Sequence, residues 1–165
     1  MSTAMAHNPG GPPPPRPDRL TPEDLARFAR LGINEELLAA AGVQRVTNRE
    51  AREKYGITGH GDMAGILFPY GSPLTGTRCT ARLRRDNPEI EDGRPKNKYI
   101  SAYGDRRHLY LVPGCADLVS DFTVPIVLVE AEKSALALTA WGERVGRKML
   151  PVAMGGVLGL ARPNW

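Results

Sequence analysis

Apolar positions along the chain change period twice, and each change marks a different kind of structure. From residue 21 they recur at helical spacing: Leu25, Phe28 and Leu31 fall on one face, behind Thr21 as N-cap, Pro22 at the first helical position and Glu23 and Asp24 in the first turn. Gly32 ends that run. A shorter helix follows, capped by Asn34, with Glu35 and Glu36 at its positive end, Leu37 and Leu38 to pack, and Gly42 to stop it. A third is expected over 49–55, capped by Asn48 and stopped by Gly56. The first two outline a helix-turn-helix, but the second is too short and has no Arg, Lys, Asn or Gln after its cap to reach a base edge, which argues against that use.

Beyond Gly61 the period shortens to that of strands. Residues 63–70 (MAGILFPY) form an apolar run, 71–76 (GSPLTG) a turn, and 77–85 (TRCTARLRR) a second strand with strict alternation. That alternation predicts Cys79, Ala81 and Leu83 on a core face, and Arg78, Thr80, Arg82 and Arg84 on the opposite one. A polar loop over 86–98 and short strands over 99–102 and 108–112 complete an expected antiparallel sheet. After a short helix over 116–122, the pattern becomes strand (125–129, PIVLV), helix (131–145) and strand (149–153, MLPVA). This is a βαβ unit whose first strand reads as buried on both faces.

The whole therefore reads as α+β. A Pro/Gly-rich tail over 1–19, with a short polyproline II segment at Pro12 to Pro15, precedes a helical segment over 20–60, an antiparallel β region with a basic face over 61–122, and an α/β unit over 123–165.

Composition narrows the function classes. No apolar run reaches the roughly 18 to 20 residues of a membrane helix, and the N-terminus has no apolar core of a secretory signal, so a soluble cytoplasmic protein is expected, with no membrane partner. Two cysteines, Cys79 and Cys115, and three scattered histidines exclude a disulfide framework and a zinc ribbon. The net charge of +4 is concentrated: between Arg78 and His108, nine cations face five acids, an excess equal to the net charge of the entire chain. A local basic surface of this kind is the footprint of a polyanion partner.

Candidate chemistry sits at the carboxyl ends of the two parallel strands, where functional groups of α/β sheets collect. The first strand runs into Glu130, Ala131, Glu132, Lys133 and Ser134; the second into Met154, Gly155 and Gly156, with Gly159 close behind. A strand-end carboxylate suits Mg²⁺, which takes one or two carboxylates and leaves the rest of its shell to water and phosphate. Glu130 is the first candidate. Glu132, in the first helical turn, is also explained by the helix dipole alone. The run GGVLG at 155–159 matches no nucleotide-cradle pattern and reads as a tight turn.

The string VPIVLVEAEKSALALTAWG resembles the first motif of the toprim superfamily, the metal-binding domain of bacterial primases and topoisomerases. Four stretches (LARFARLGINEELLAAAGV; GILFPYGSPLTGTRCTARLR with KNKYISAYGDRRHLYLVPG; VLVEAEKSALAL; LPVAMGGVLG) are similar in order and spacing to a toprim-like family of uncharacterised domains. Those domains occur in phage, plasmid and integrative-element proteins beside primase or helicase modules.

The resemblance implies DNA replication or processing by primase-type, Mg²⁺-dependent nucleotidyl transfer. Glu130 would be metal ligand or general base, Glu132 a second ligand, and single-stranded DNA or another nucleic acid would lie along Arg78, Arg82, Arg84, Lys96, Lys98, Arg106, Arg107 and Lys133. Tyr99, Tyr103 and Tyr110 offer stacking surfaces, or simply strand packing. Two departures stand out. Ala131 replaces the usual glycine, and no D-x-D pair follows Glu130, so the toprim half reads as partial. A non-catalytic nucleic-acid-binding or interaction module is the alternative, and a fragment with exposed sheet edges, prone to association, is a third.

Overall fold

The computed structural model describes residues 20–155; the expected tail over 1–19 and the glycines from 156 onward lie outside them. Helix α1 (Pro22–Ala29) starts where the signals place it. Thr21 accepts from the Asp24 N–H, and the Asp24 carboxylate accepts from the Thr21 N–H at 3.0 Å, so two otherwise orphaned donors are satisfied reciprocally. Helix α2 (Glu35–Ala40) is capped by Asn34. The chain then forms a short strand, β1 (Gln44–Val46), which the hydrophobic pattern did not announce. Helix α3 (Asn48–Tyr55) is capped by Thr47 with Glu50 as its reciprocal partner, one residue earlier than expected, and Gly56 closes it in the left-handed conformation. Asn48, relieved of the capping role, accepts from the Met63 N–H through its side chain at 3.0 Å and ties α3 to the next strand.

Strands β2 (Gly65–Gly71) and β3 (Arg78–Arg85) pair antiparallel. The polar loop after β3 contains a two-residue-per-arm hairpin, β4 (Ile90–Glu91) with β5 (Arg94–Pro95), and β6 (Tyr99–Ser101) then returns to pair with β3. The first sheet is ordered β1-β2-β3-β6, antiparallel throughout. Strand β7 (Tyr110–Leu111), expected in that sheet, joins another. After helix α4 (Ala116–Ser120), strand β8 (Ile126–Val129), helix α5 (Glu132–Val145) and strand β9 (Leu150–Ala153) make the expected βαβ unit, and β9 lies between parallel β8 and antiparallel β7.

Both faces of the first sheet are covered, so its central strand β2 is apolar throughout. Ile66, Phe68 and Tyr70 meet Phe28, Ile33 and Leu38 from α1, α2 and their connection, and Tyr110, Ala135, Leu136 and Ala153 from the second sheet and α5. Leu67, Ala81 and Leu83 face the other way, onto Val46, Ala51, Ile57 and Met63. The two sheets join through one core in which Tyr70 and Tyr110 stack edge to face at 5.0 Å. Each fully buried Leu in these clusters contributes about 1.5 to 3 kcal/mol of apolar transfer.

Two expectations, one from alternation and one from a continuous apolar run, are corrected. A bulge between Tyr70 and Gly71 sets Arg78, instead of Cys79, opposite Gly71. Arg78 therefore crosses to the face of Tyr55, over whose ring it lies at 4.9 Å, while Cys79 is exposed instead of buried. Strand β8 is an edge strand, not one buried on both faces. Val129 packs on the shared core, but Ile126 and Leu128 on the other face are 64% and 61% exposed. No helix among the described residues is long and apolar enough to cross a membrane.

Candidate nucleic-acid interface

The two candidate carboxylates diverge. Glu130, the residue after β8, is exposed. Glu132 opens α5 and turns inward to 1% exposure, where Oε1 accepts from Tyr70 Oη at 2.6 Å and from Arg82 Nη1 at 3.1 Å. A buried carboxylate persists only if paired and hydrogen-bonded, and here three elements cooperate: α5 supplies the acid, β2 the phenol, β3 the cation. Burial first, and the Glu132 charge second, push the Tyr70 phenol above its ordinary range, so it stays protonated and donates. Tyr110 is raised by the same two causes. Its hydroxyl is the one buried side-chain oxygen or nitrogen without a partner among the described residues.

Arg82 extends from the pair across the ring of Tyr99, with its guanidinium carbon 4.8 Å from the centroid. Gly155, two residues beyond β9 with φ +68°, lies beside the same group: a methyl there would stand 3.1 Å from Arg82 Nη1 and 3.6 Å from Tyr70 Oη. The carboxyl ends of β8 and β9 thus converge on an Arg82–Glu132–Tyr70 cluster. Glu130 and Lys133, both exposed, lie beside it in sequence on the outer surface.

The remaining expected cations fall into distinct groups. Arg84 is half-buried and 4.0 Å from Asp86 Oδ1, and Lys96 pairs with Glu91 in the β4–β5 hairpin at 2.8 Å. Lys98, Arg106, Arg107 and Lys133 are exposed with no acidic partner among the described residues, and Arg78 is exposed above Tyr55. Of the three tyrosines, Tyr103 is fully exposed, Tyr99 carries Arg82, and Tyr110 is fully buried and closed to stacking.

Two arginines serve the fold instead. Arg85 is buried on the core face of β3. It donates to Glu89 at 2.6 and 3.0 Å and to the Asp62 carbonyl at 2.8 Å, pinning the loop after β3 to the one before β2. Arg45 on β1 bridges Asp24 of α1, Nη2 to Oδ1 at 2.9 Å, and Asp86. Neither role was visible in the sequence, nor was that of Tyr70. The one hint for Tyr70 was a polar-tipped ring closing an apolar run, which when buried needs a partner for its hydroxyl.

For Mg²⁺ the donor set is short. No group of three His, Cys, Asp or Glu side chains among the described residues could hold a metal, and the Glu132 carboxylate is already engaged by a guanidinium and a phenol. Glu130 is exposed and has no ion-pair partner among the described residues.

No family model matches the chain, and no curated protein matches it. Among solved structures it is similar to the zinc-binding and RNA polymerase domains of the Aquifex aeolicus primase. The TM-score is 0.53 at 19% identity, over 82% of this chain and 38% of that one. It also aligns with a DnaG primase catalytic domain bound to single-stranded DNA, at TM-score 0.46 and 18% identity, over 81% of this chain and 49% of that one. The chain spans less than half the length of either. The first likeness shows that this chain shares its fold with part of those primase domains.

Proposed function

We propose that this chain is a primase-like domain that binds single-stranded DNA through its phosphates, along the cationic surface of β3, the segment from Lys98 to Arg107, and the start of α5. The observation that carries the reading is the primase fold joined to a set of cations without acidic partners among the described residues: Lys98, Arg106, Arg107 and Lys133; Arg78, moved by the bulge to the Tyr55 face, is not among them. Surface cations that pair with acids are internally satisfied; these four keep their charge for a polyanion. Tyr103, fully exposed in the same segment, adds a stacking face.

Of the two forms of this reading, binding is better supported than nucleotidyl transfer. A phosphoryl-transfer centre uses two metals or one metal with several carboxylates, and among the described residues no such group accompanies Glu130. The replication setting in a mobile element, and a helicase or primase module as partner, belong to the same proposal and rest on the sequence resemblance.

The test is fluorescence anisotropy of a labelled oligo(dT) across a NaCl series, with and without Mg²⁺. Expected is binding that weakens with salt at a log–log slope of about −0.7 per neutralised phosphate, with a smaller slope after Lys98, Arg106 and Arg107 are changed to Ala. Absence of binding at low salt, or a slope indifferent to those changes, overturns the reading. A Mg²⁺ dependence abolished by Glu130→Gln would restore the metal-dependent form.

A further inference from the structure

Arg82 differs from every other cation of the proposed interface in being held from two sides. Nη1 donates to Glu132, and the guanidinium carbon lies over the Tyr99 ring. The other donors of its fork have no protein acceptor among the described residues. They are not sealed either, because the Tyr110 hydroxyl is the one buried polar side-chain atom left unpaired there. The side chain keeps 18% exposure, so those donors meet solvent. Gly155 lies on the Nη1 side, where a methyl on it would stand 3.1 Å from that nitrogen. The result is a planar, permanently charged group with one edge fixed and one edge offered, at the carboxyl end of a parallel strand pair.

We propose that Arg82 contacts a backbone phosphate of the bound strand and that Glu132, with Tyr99, is its positioning residue instead of a metal ligand. This deepens the proposed single-stranded DNA binding and rests on it. An unrestrained arginine loses much of its rotamer freedom on gripping a phosphate, whereas one already clamped by a carboxylate and a ring has lost it in folding, so the contact is pre-organised. The Glu132 charge works against an anion, but it stands on the Nη1 side. A phosphate at the free edge is nearer to the guanidinium than to the carboxylate, and the fork has donors to spare. Glu132 also draws on Tyr70, whose hydroxyl takes part of the carboxylate's bonding capacity and holds the acid in the orientation that Arg82 needs.

The experiment is the same oligo(dT) titration on the full chain with Arg82→Ala, Glu132→Gln, their double variant and Arg106→Ala, each checked for folding by thermal unfolding. Expected is about a tenfold loss of affinity for Arg82→Ala, with the salt slope reduced by about 0.7. Glu132→Gln should lose nearly as much, and the double variant no more than either. Arg106→Ala should add in full to any of them. A merely structural pair would lower the unfolding temperature and leave the salt slope untouched. The proposal is overturned if Arg82→Ala keeps the wild-type slope, or if Glu132→Gln binds as tightly as wild type or tighter while Arg82→Ala weakens. Should Glu132→Gln fail to fold, Tyr99→Leu decides, since it removes the ring under the guanidinium and spares both members of the pair. A reduced slope supports the proposal and a wild-type slope overturns it. Failure of the wild-type chain to bind at any salt defeats the broader reading, a different outcome from binding that ignores Arg82.

Discussion

Arg85 and Glu89 form an ion pair of unequal burial: the guanidinium is 1% exposed and the carboxylate 42%, with N–O separations of 2.6 and 3.0 Å. The cation is thus a core residue, and its partner, with the Asp62 carbonyl, is what makes its burial tolerable. Arg85→Ala should destabilise the fold by about 2 kcal/mol, below the 3 to 5 of a fully buried pair because one partner is solvated. Urea unfolding checks this, and a change under about 0.5 kcal/mol, the range of ordinary surface substitutions, would assign Arg85 to the surface instead.

The same pair sets a pH response. Hydrogen bonds from Arg85 hold the Glu89 carboxyl at about 2, against an ordinary value of 4.5. For Asp24, burial raises the value, but hydrogen bonds from Arg45 and Thr21 outweigh it and leave it lowered. Carboxyls depressed in the folded state stabilise it above their unfolded pKa, and that contribution is lost as pH falls through the folded value. Stability should therefore decline from about pH 4.5 toward 2, and Glu89→Gln should flatten part of the decline. Equal slopes for variant and wild type in urea titrations between the ordinary and the depressed carboxyl values would contradict the assignment.

Gly65 stands in β2 opposite Arg85, and a methyl on its α-carbon would collide with the Arg84 carbonyl, 3.0 Å from its carbon. The neighbour is backbone and cannot rotate away. Gly65→Ala should cost about 1 to 3 kcal/mol, as overpacking does, even though alanine is ordinarily the safer strand residue. A thermal midpoint equal to wild type would show that the two strands pair less closely than described.

The two thiols report on the bulge. Cys79 is exposed and Cys115 is buried, with burial raising its pKa. An aromatic disulfide reagent should titrate one thiol at once and the second only on unfolding, and Cys79→Ser should remove the fast phase. Slow reaction of both would return Cys79 to the core face that simple alternation predicts.

Ile126 and Leu128 expose an apolar face on the edge strand β8, a template for association. Leu128→Lys should lower light scattering at high concentration while shifting stability by no more than about 0.5 kcal/mol. A large loss of stability would mean that Leu128 packs internally.

Local signals were legible wherever a short stretch sufficient to itself carried the information. The capping of α1 and α2, the glycine stops, the β2–β3 alternation from Thr80 to Arg84 and the βαβ unit all depend on residues within a few positions of one another. The misses have one cause each. Strand β1 is too short for periodicity to show, and it exists because β2 pairs with it. Strand β7 reads like its neighbours, yet hydrogen bonds to β9, far along the chain.

For the candidate site, the sequence by itself determined which residue types stand at the strand ends: two acids two positions apart, a lysine, a glycine and a cluster of arginines. Which acid is open and which is committed was decided by tertiary structure alone. Position in a strand-to-helix junction does not say which way a carboxylate turns. Burial of Glu132 is set by Tyr70 and Arg82, 62 and 50 positions away, whose hydrogen bonds offset its desolvation only once β2, β3 and α5 have packed.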